Sequence, residues 1–88
     1  MRLSLRQLQI FSAIAGTGTT TAAGDSIGLS QSAVSAALGE LEHLLGLAVF
    51  DRVGRRLVLN GHGRALLPEA RALLAAAEDI ERRYRGGG

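Results

Sequence analysis

Between Ser30 and Gly46 the chain carries Val34, Leu38, Leu41 and Leu45 at intervals of 4, 3 and 4 residues. That rhythm lays the four side chains along one side of an α-helix. It predicts a helix over about Gln31 to Leu45 with one face buried. Ser30 is placed to cap its start, because a serine hydroxyl accepts from the free amides of a first turn. Gly46 is placed to end it in a left-handed conformation, with Leu47 positioned for the accompanying apolar contact. Gln31, Ser32, Ser35, Ala36 and Gly39 fall on the other faces and are small or amide-bearing. A glycine inside a helix costs about 1 kcal/mol relative to alanine. The use that suggests itself for Gly39 is to allow close approach.

The segments on either side are shorter and sharply punctuated. Leu5, Leu8, Phe11, Ile14 and Ala15 fall at helical spacing and predict a first helix over residues 4 to 15, ended by Gly16 and Gly18. Thr19 or Thr20 can cap a second, short helix reaching about Ile27, with Ala22, Ala23 and Ile27 inward. Gly28-Leu29-Ser30 is a tight break before the third helix. After it, Ala48-Val49-Phe50 and Leu57-Val58-Leu59 flank Arg52-Val53-Gly54-Arg55, which reads as a short β-hairpin packed on the helices through Phe50 and Leu57. Beyond Gly61 and Gly63, a long helix is expected over about Arg64 to Arg85, with Pro68 in or near its first turn. Leu66, Ala70, Leu73, Ala77, Ile80 and Tyr84 follow at 4, 3, 4, 3 and 4, a heptad seam. Such a seam is buried either on its own domain or against a second helix; the strict 3.5-residue period favours a supercoiled partner. Gly86 to Gly88 read as a frayed end or a cloning remnant.

Composition narrows the class. The 88 residues make one small domain that gains from oligomerisation. Aromatics are only 3% and leucine and alanine dominate, which favours helices. There is no cysteine, hence no disulfide framework and no thiolate chemistry. No apolar run reaches membrane-spanning length and no signal-peptide core is present, so a soluble, cytoplasmic protein is expected. The net charge is only +2, but all ten basic residues are arginine. None lies between Arg6 and Arg52; then Arg52, Arg55, Arg56 and Arg64 fall close together. Arginine binds phosphate bidentately and keeps its charge. On charge alone such a cluster is as readily a solvated surface as a nucleic-acid contact.

Helix, short turn, helix is the arrangement of a DNA-reading motif whose second helix enters the major groove. The residues at that helix start are Gln31, Ser32 and Ser35. Glutamine can pair bidentately with adenine, and serine can donate or accept. The hairpin, about residues 50–58, then serves as a wing whose arginines reach backbone phosphate or the minor groove. Thr19, Thr20 and Thr21 offer hydroxyls and amides to phosphate, or simply cap a helix. Other chemistries find no support. Gly16-Thr17-Gly18 begins like a dinucleotide loop, but Thr21 stands at the third glycine and a helix precedes it. His43 and His62 lack ligand spacing. The acids Glu40, Glu42, Glu78, Asp79 and Glu81 read as solvated helix faces. No nucleophile, base or metal cluster converges, so no enzyme, metal or cofactor is expected.

The stretch Leu5-Arg6-Gln7-Leu8 through Phe11, then Gly18, Thr21, Ala23 and Ile27, resembles the opening of LysR-type transcriptional regulators. Leu29-Ser30-Gln31-Ser32-Ala33-Val34-Ser35 is similar to that family's central motif, continued by Leu38, Leu41-Glu42, Leu45-Gly46, Val49-Phe50, Arg52, Arg55, Leu59 and Gly63. The likeness runs from about Leu5 to Leu74. It implies a winged helix-turn-helix over residues 1–60 and a linker or dimerisation helix over 61–88. It also implies DNA contacts by Thr21, Gln31, Ser32, Ser35, Arg52 and Arg55. Members are usually longer, with a carboxy-terminal effector domain for a small-molecule co-inducer, antiparallel linker-helix dimers and often tetramers. Three departures stand out: Thr20 replaces a common aromatic, Gly24 a frequent alanine that would firm the short helix, and Ala36 a residue often polar or basic.

The expected fold is therefore mainly α, three helices plus a two-stranded wing and a long dimerising helix. The expected function is sequence-specific binding of double-stranded, pseudo-palindromic DNA by a homodimer. The candidate DNA contacts are Thr20, Thr21, Ser30, Gln31, Ser32, Ser35, Ala36, Arg52, Arg55 and Arg56. The candidate dimer contacts are Leu66, Ala70, Leu73, Ala77, Ile80 and Tyr84. The alternative is a winged-helix protein-interaction module, against which the polar helix start and arginine-bearing hairpin speak, since a docking face is more often apolar.

Overall fold

Each of the first three helices begins on a hydroxyl and ends on a glycine. In the computed structural model, which describes residues 1–86, these are α1 (Leu5–Thr17), α2 (Thr20–Ile27) and α3 (Gln31–Leu45). Ser4 opens α1 with a capping box: Gln7 N–H donates to Ser4 Oγ at 3.2 Å and Ser4 N–H to Gln7 Oε1 at 3.0 Å. Thr19 and Ser30 accept from Ala22 and Ala33 amides in the same role. Gly18, Gly28 and Gly46 close the helices at φ of 88°, 74° and 74°. At Gly46 two bonds complete the stop, Leu47 N–H to Glu42 O and Gly46 N–H to His43 O. Leu47 itself stays at the surface.

The core is built around α1, which packs against α2, α3, the hairpin and the last helix. Leu8, Phe11 and Ile14 meet Ala23, Val34, Leu41, Val49 and Phe50. The Phe11 and Phe50 rings lie 5.4 Å apart, tilted by 48°. Complete burial of side chains this size contributes about 1.5–3 kcal/mol each. Three details differ from the spacing argument, the first being Leu45, the last of the α3 stripe, which is 38% exposed at the helix end. Leu5, at the helix tip, is half exposed, whereas Ile10 is buried because neighbours cover α1 on more than one side. Gly24 is fully enclosed, with the Leu29 carbonyl where a Cβ would go, so the glycine is required by contact rather than being a weak substitute for alanine.

The hairpin is β1 (Phe50–Val53) and β2 (Arg56–Leu59), antiparallel, pairing Phe50 with Leu59 and Val53 with Arg56. The turn is therefore the two residues Gly54-Arg55 rather than four, and Arg52 belongs to a strand opposite Leu57. Gly54 has φ of 61° at the first central position, as a type II′ turn needs. Leu57 N–H donates to the Gly18 carbonyl at 2.8 Å and ties the wing to the α1–α2 corner.

Asn60 makes the junction to α4 (Gly61–Gly86). Its Nδ2 donates to Ala48 O, its backbone N–H donates to Val49 O, and its Oδ1 accepts from Gly63 N–H. This cap starts α4 three residues before the expected Arg64. Pro68 consequently lies in the helix interior, not the first turn, and deprives the Arg64 carbonyl of its partner. Gly63 sits so close to the base of the hairpin that a Cβ would meet the Val49 carbonyl and Leu59 Cδ2. The heptad seam divides. Ala70 is fully buried, and Leu66, Leu67 and Leu74 pack on the core; Leu73 and Ile80 are 50% exposed and Tyr84 80%. Ala70 thus has no surface left for a partner helix. Arg82, Arg83 and Arg85 form exposed ion pairs with Asp79 and Glu81, which add little to stability. The expectation for the terminal glycines falls partly on 87–88, outside the described residues.

Candidate nucleic-acid interface

Three elements converge on one open recess of roughly 320 Å³. The start of α2 supplies Thr19, Thr20 and Thr21, the start of α3 supplies Gln31 and Ser35, and the wing supplies Arg52 and Arg55. The capping glycine Gly28 turns the chain between α2 and α3, and the Leu57–Gly18 bond holds the wing against the same corner. Gln31 Nε2 donates to Thr20 Oγ1 at 3.1 Å and to Ser35 Oγ at 2.8 Å, joining the two helix starts. No acid lines this recess or stands in the first turn of α2 or α3. Both helix N-termini therefore present their partial positive charge unopposed by a first-turn acid. Among the described residues neither Arg52 nor Arg55 is ion-paired.

Arg52 reaches the recess because it shares a sheet face with Phe50 and Leu57, the face turned to the helices. Arg56 points elsewhere: its guanidinium lies against Gly18 at the α1–α2 corner. Ser30 spends a lone pair on the Ala33 amide. Ser32 and Ala36 are exposed on α3 beside the recess rather than in it. The structure thus gathers Thr20, Thr21, Gln31, Ser35, Arg52 and Arg55, and leaves Ser30, Ser32, Ala36 and Arg56 on its margins or beyond.

A neighbouring recess of about 360 Å³ continues along α3 past Ser35 to Gly39 and Glu42. Nothing lies within 4 Å of a Cβ built at Gly39, so no close approach within this chain explains the glycine. Glu42 is not a solvated acid: it is half-buried and its Oε2 accepts from Val49 N–H at 2.8 Å, fastening the start of the wing to α3. Nothing in the helical spacing distinguishes it from Glu40, since its partner lies beyond the Gly46 turn. Among the described residues no three His, Cys, Asp or Glu side chains come together.

Helix, turn, helix and a two-stranded wing bordering one polar recess define the winged helix-turn-helix class. Residues 5–64 match the family model of bacterial regulatory helix-turn-helix proteins, lysR family. The chain belongs to that family; it is a transcription-regulator domain and not an enzyme. It is 54% identical over 85 residues to the uncharacterised HTH-type transcriptional regulator YeiE of Escherichia coli K12, covering 97% of this chain and 29% of that protein. It is 38% identical over 81 residues to the RuBisCO operon transcriptional regulator of Allochromatium vinosum, covering 92% and 27%. Among solved structures, the DNA-binding domain of CbnR in complex with DNA superposes with a TM-score of 0.86 at 32% identity, covering 97% of this chain and 98% of that one. Oxidised OxyR of Corynebacterium glutamicum superposes with a TM-score of 0.93 at 33% identity, covering 99% and 27%. The chain spans less than a third of the length of these curated relatives.

Proposed function

We propose that this chain binds double-stranded DNA sequence-specifically as a homodimer, with α3 in the major groove and the wing on flanking backbone or minor groove. The observation that carries the reading is the shared recess, where base-reading groups on Gln31 and Ser35 stand beside the cations of Arg52 and Arg55. The likeness to CbnR, solved with DNA, supports it. Thr20 and Thr21 serve phosphate from the start of α2, and Ser32 and Ala36 extend the reading face along α3. Ser30 and Arg56 contribute through the cap and the wing's seating. Because α3 carries no formal positive charge near its start, sequence-independent affinity rests on the wing.

The dimer forms through the open part of the α4 seam, Leu73, Ile80 and Tyr84, with the half-buried Leu66 and Ala77 at its edge. Residues 1–60 are the DNA-reading unit and 61–88 the linker and dimerisation helix. Among the described residues no helix is long and apolar enough to cross a membrane; action in the cytoplasm is part of the proposal. Co-inducer binding and tetramer formation belong to an effector domain outside residues 1–88.

Selection from a randomised duplex pool at two salt concentrations tests the reading. An enriched dyad with half-sites about one helical turn apart is expected. Absence of binding at low salt would refute it and favour the protein-interaction module.

A further inference from the structure

Gln31 is exposed, yet its amide is held from two sides. Nε2 donates to Thr20 Oγ1 at 3.1 Å and to Ser35 Oγ at 2.8 Å. A glutamine amide has two N–H donors and one carbonyl acceptor. Both donors are engaged, and Oε1 has no protein partner among the described residues. The other glutamines in α1 are arranged the opposite way: Gln7 and Gln9 each use Oε1 as acceptor, from Ser4 N–H and from Arg6 Nη1. The two hydroxyls that accept from Gln31 keep their own O–H protons for donation outward. What the recess offers at this point is therefore one carbonyl acceptor flanked by hydroxyl donors.

We propose that Thr20 and Ser35 are positioning residues that make Gln31 an acceptor-only reader, selective for a base carrying an exocyclic amine in the major groove. Adenine N6 and cytosine N4 donate there, whereas guanine O6 and thymine O4 accept. This departs from bidentate pairing of a free glutamine with adenine, because Nε2 is already committed. It rests on the DNA-binding reading above. Thr20 acts through Gln31, since the capping role at α2 belongs to Thr19.

The test compares pool selections by the wild-type chain, Gln31→Ala, Thr20→Val and Thr20→Ser, with thermal unfolding as a check on folding. At the base position whose preference vanishes in Gln31→Ala, the wild type should enrich adenine or cytosine. Thr20→Val should cut that preference by about fivefold, over and above any loss it shows on scrambled duplex, and Thr20→Ser should retain it. A second readout needs no DNA. In the free chain the Gln31 side-chain amide protons should exchange with water more slowly than those of Gln7 and Gln9, and faster in Thr20→Val than in wild type. Guanine or thymine at the Gln31 position, an unchanged preference in Thr20→Val, or exchange at Gln31 as fast as at Gln7 and Gln9 would each overturn the proposal alone. A wild type that enriches nothing at low salt would overturn the DNA reading and this proposal with it.

Discussion

Val34 and Leu41 on α3 have no exposed surface, whereas Leu73 and Ile80 on α4, set in the same rhythm of threes and fours, are 50% exposed and Tyr84 is 80% exposed. The difference is cover. α3 lies along α1, which brings Leu8, Phe11 and Ile14 to its apolar stripe. The first half of α4 receives the same treatment, with Ala70 buried and Leu66, Leu67 and Leu74 packed on the core. Its second half runs past the end of that support. A stripe of apolar residues thus reveals which side of a helix is to be covered, but not by what. Solvent exposure of Leu73, Ile80 and Tyr84 in a single copy is what a helix awaiting a second copy would show.

Both helices rest on α1, so the largest effect is expected there. Phe11→Ala removes the ring that contacts Phe50 and should cost about 3–5 kcal/mol in urea unfolding, loosening both helices. A loss below about 1 kcal/mol would mean that the Phe11 site collapses without penalty. Gly63→Ala acts only at the foot of α4, driving a methyl into the Val49 carbonyl; about 1–3 kcal/mol is expected in the same assay. Neutrality there would show that α4 can shift off Val49 and Leu59 freely. Ile80→Ser sharpens the contrast, because the side chain is half exposed. Monomer stability at high dilution should change by less than about 0.5 kcal/mol, while sedimentation should report loss of the dimer. An unchanged dimer would remove Ile80 from the interface. Arg52→Ala should leave the fold intact and lower the slope of log affinity against log salt by about one unit. An unchanged slope would deny Arg52 a phosphate.

The elements that could be read from sequence are those whose determinants are neighbours in the chain. α3 spans Gln31–Leu45 as the stripe, Ser30 and Gly46 indicate, because cap, stripe and stop lie within one stretch. The hairpin turn and the start of α4 lie two or three residues from where the sequence pattern puts them, because they depend on distant partners. Leu57 bonds to Gly18, and Asn60 bonds to Ala48 and Val49. Glu42 and Gly24 owe their roles to contacts across a break, with Val49 and Leu29. At the site, the identities of Gln31, Ser35, Thr20 and Arg52 were legible, but their meeting in one recess was not. Nor was the turning away of Arg56, which follows from the register of a two-residue turn.

In the proposed complex two copies, joined through the uncovered half of α4, read one duplex. The most direct measurement is the mass of the complex formed with a duplex selected from the random pool, by light scattering at low salt. Two chains per duplex are expected, on a dyad whose half-sites lie about one helical turn apart. One chain per duplex, on a site without dyad symmetry, would contradict it.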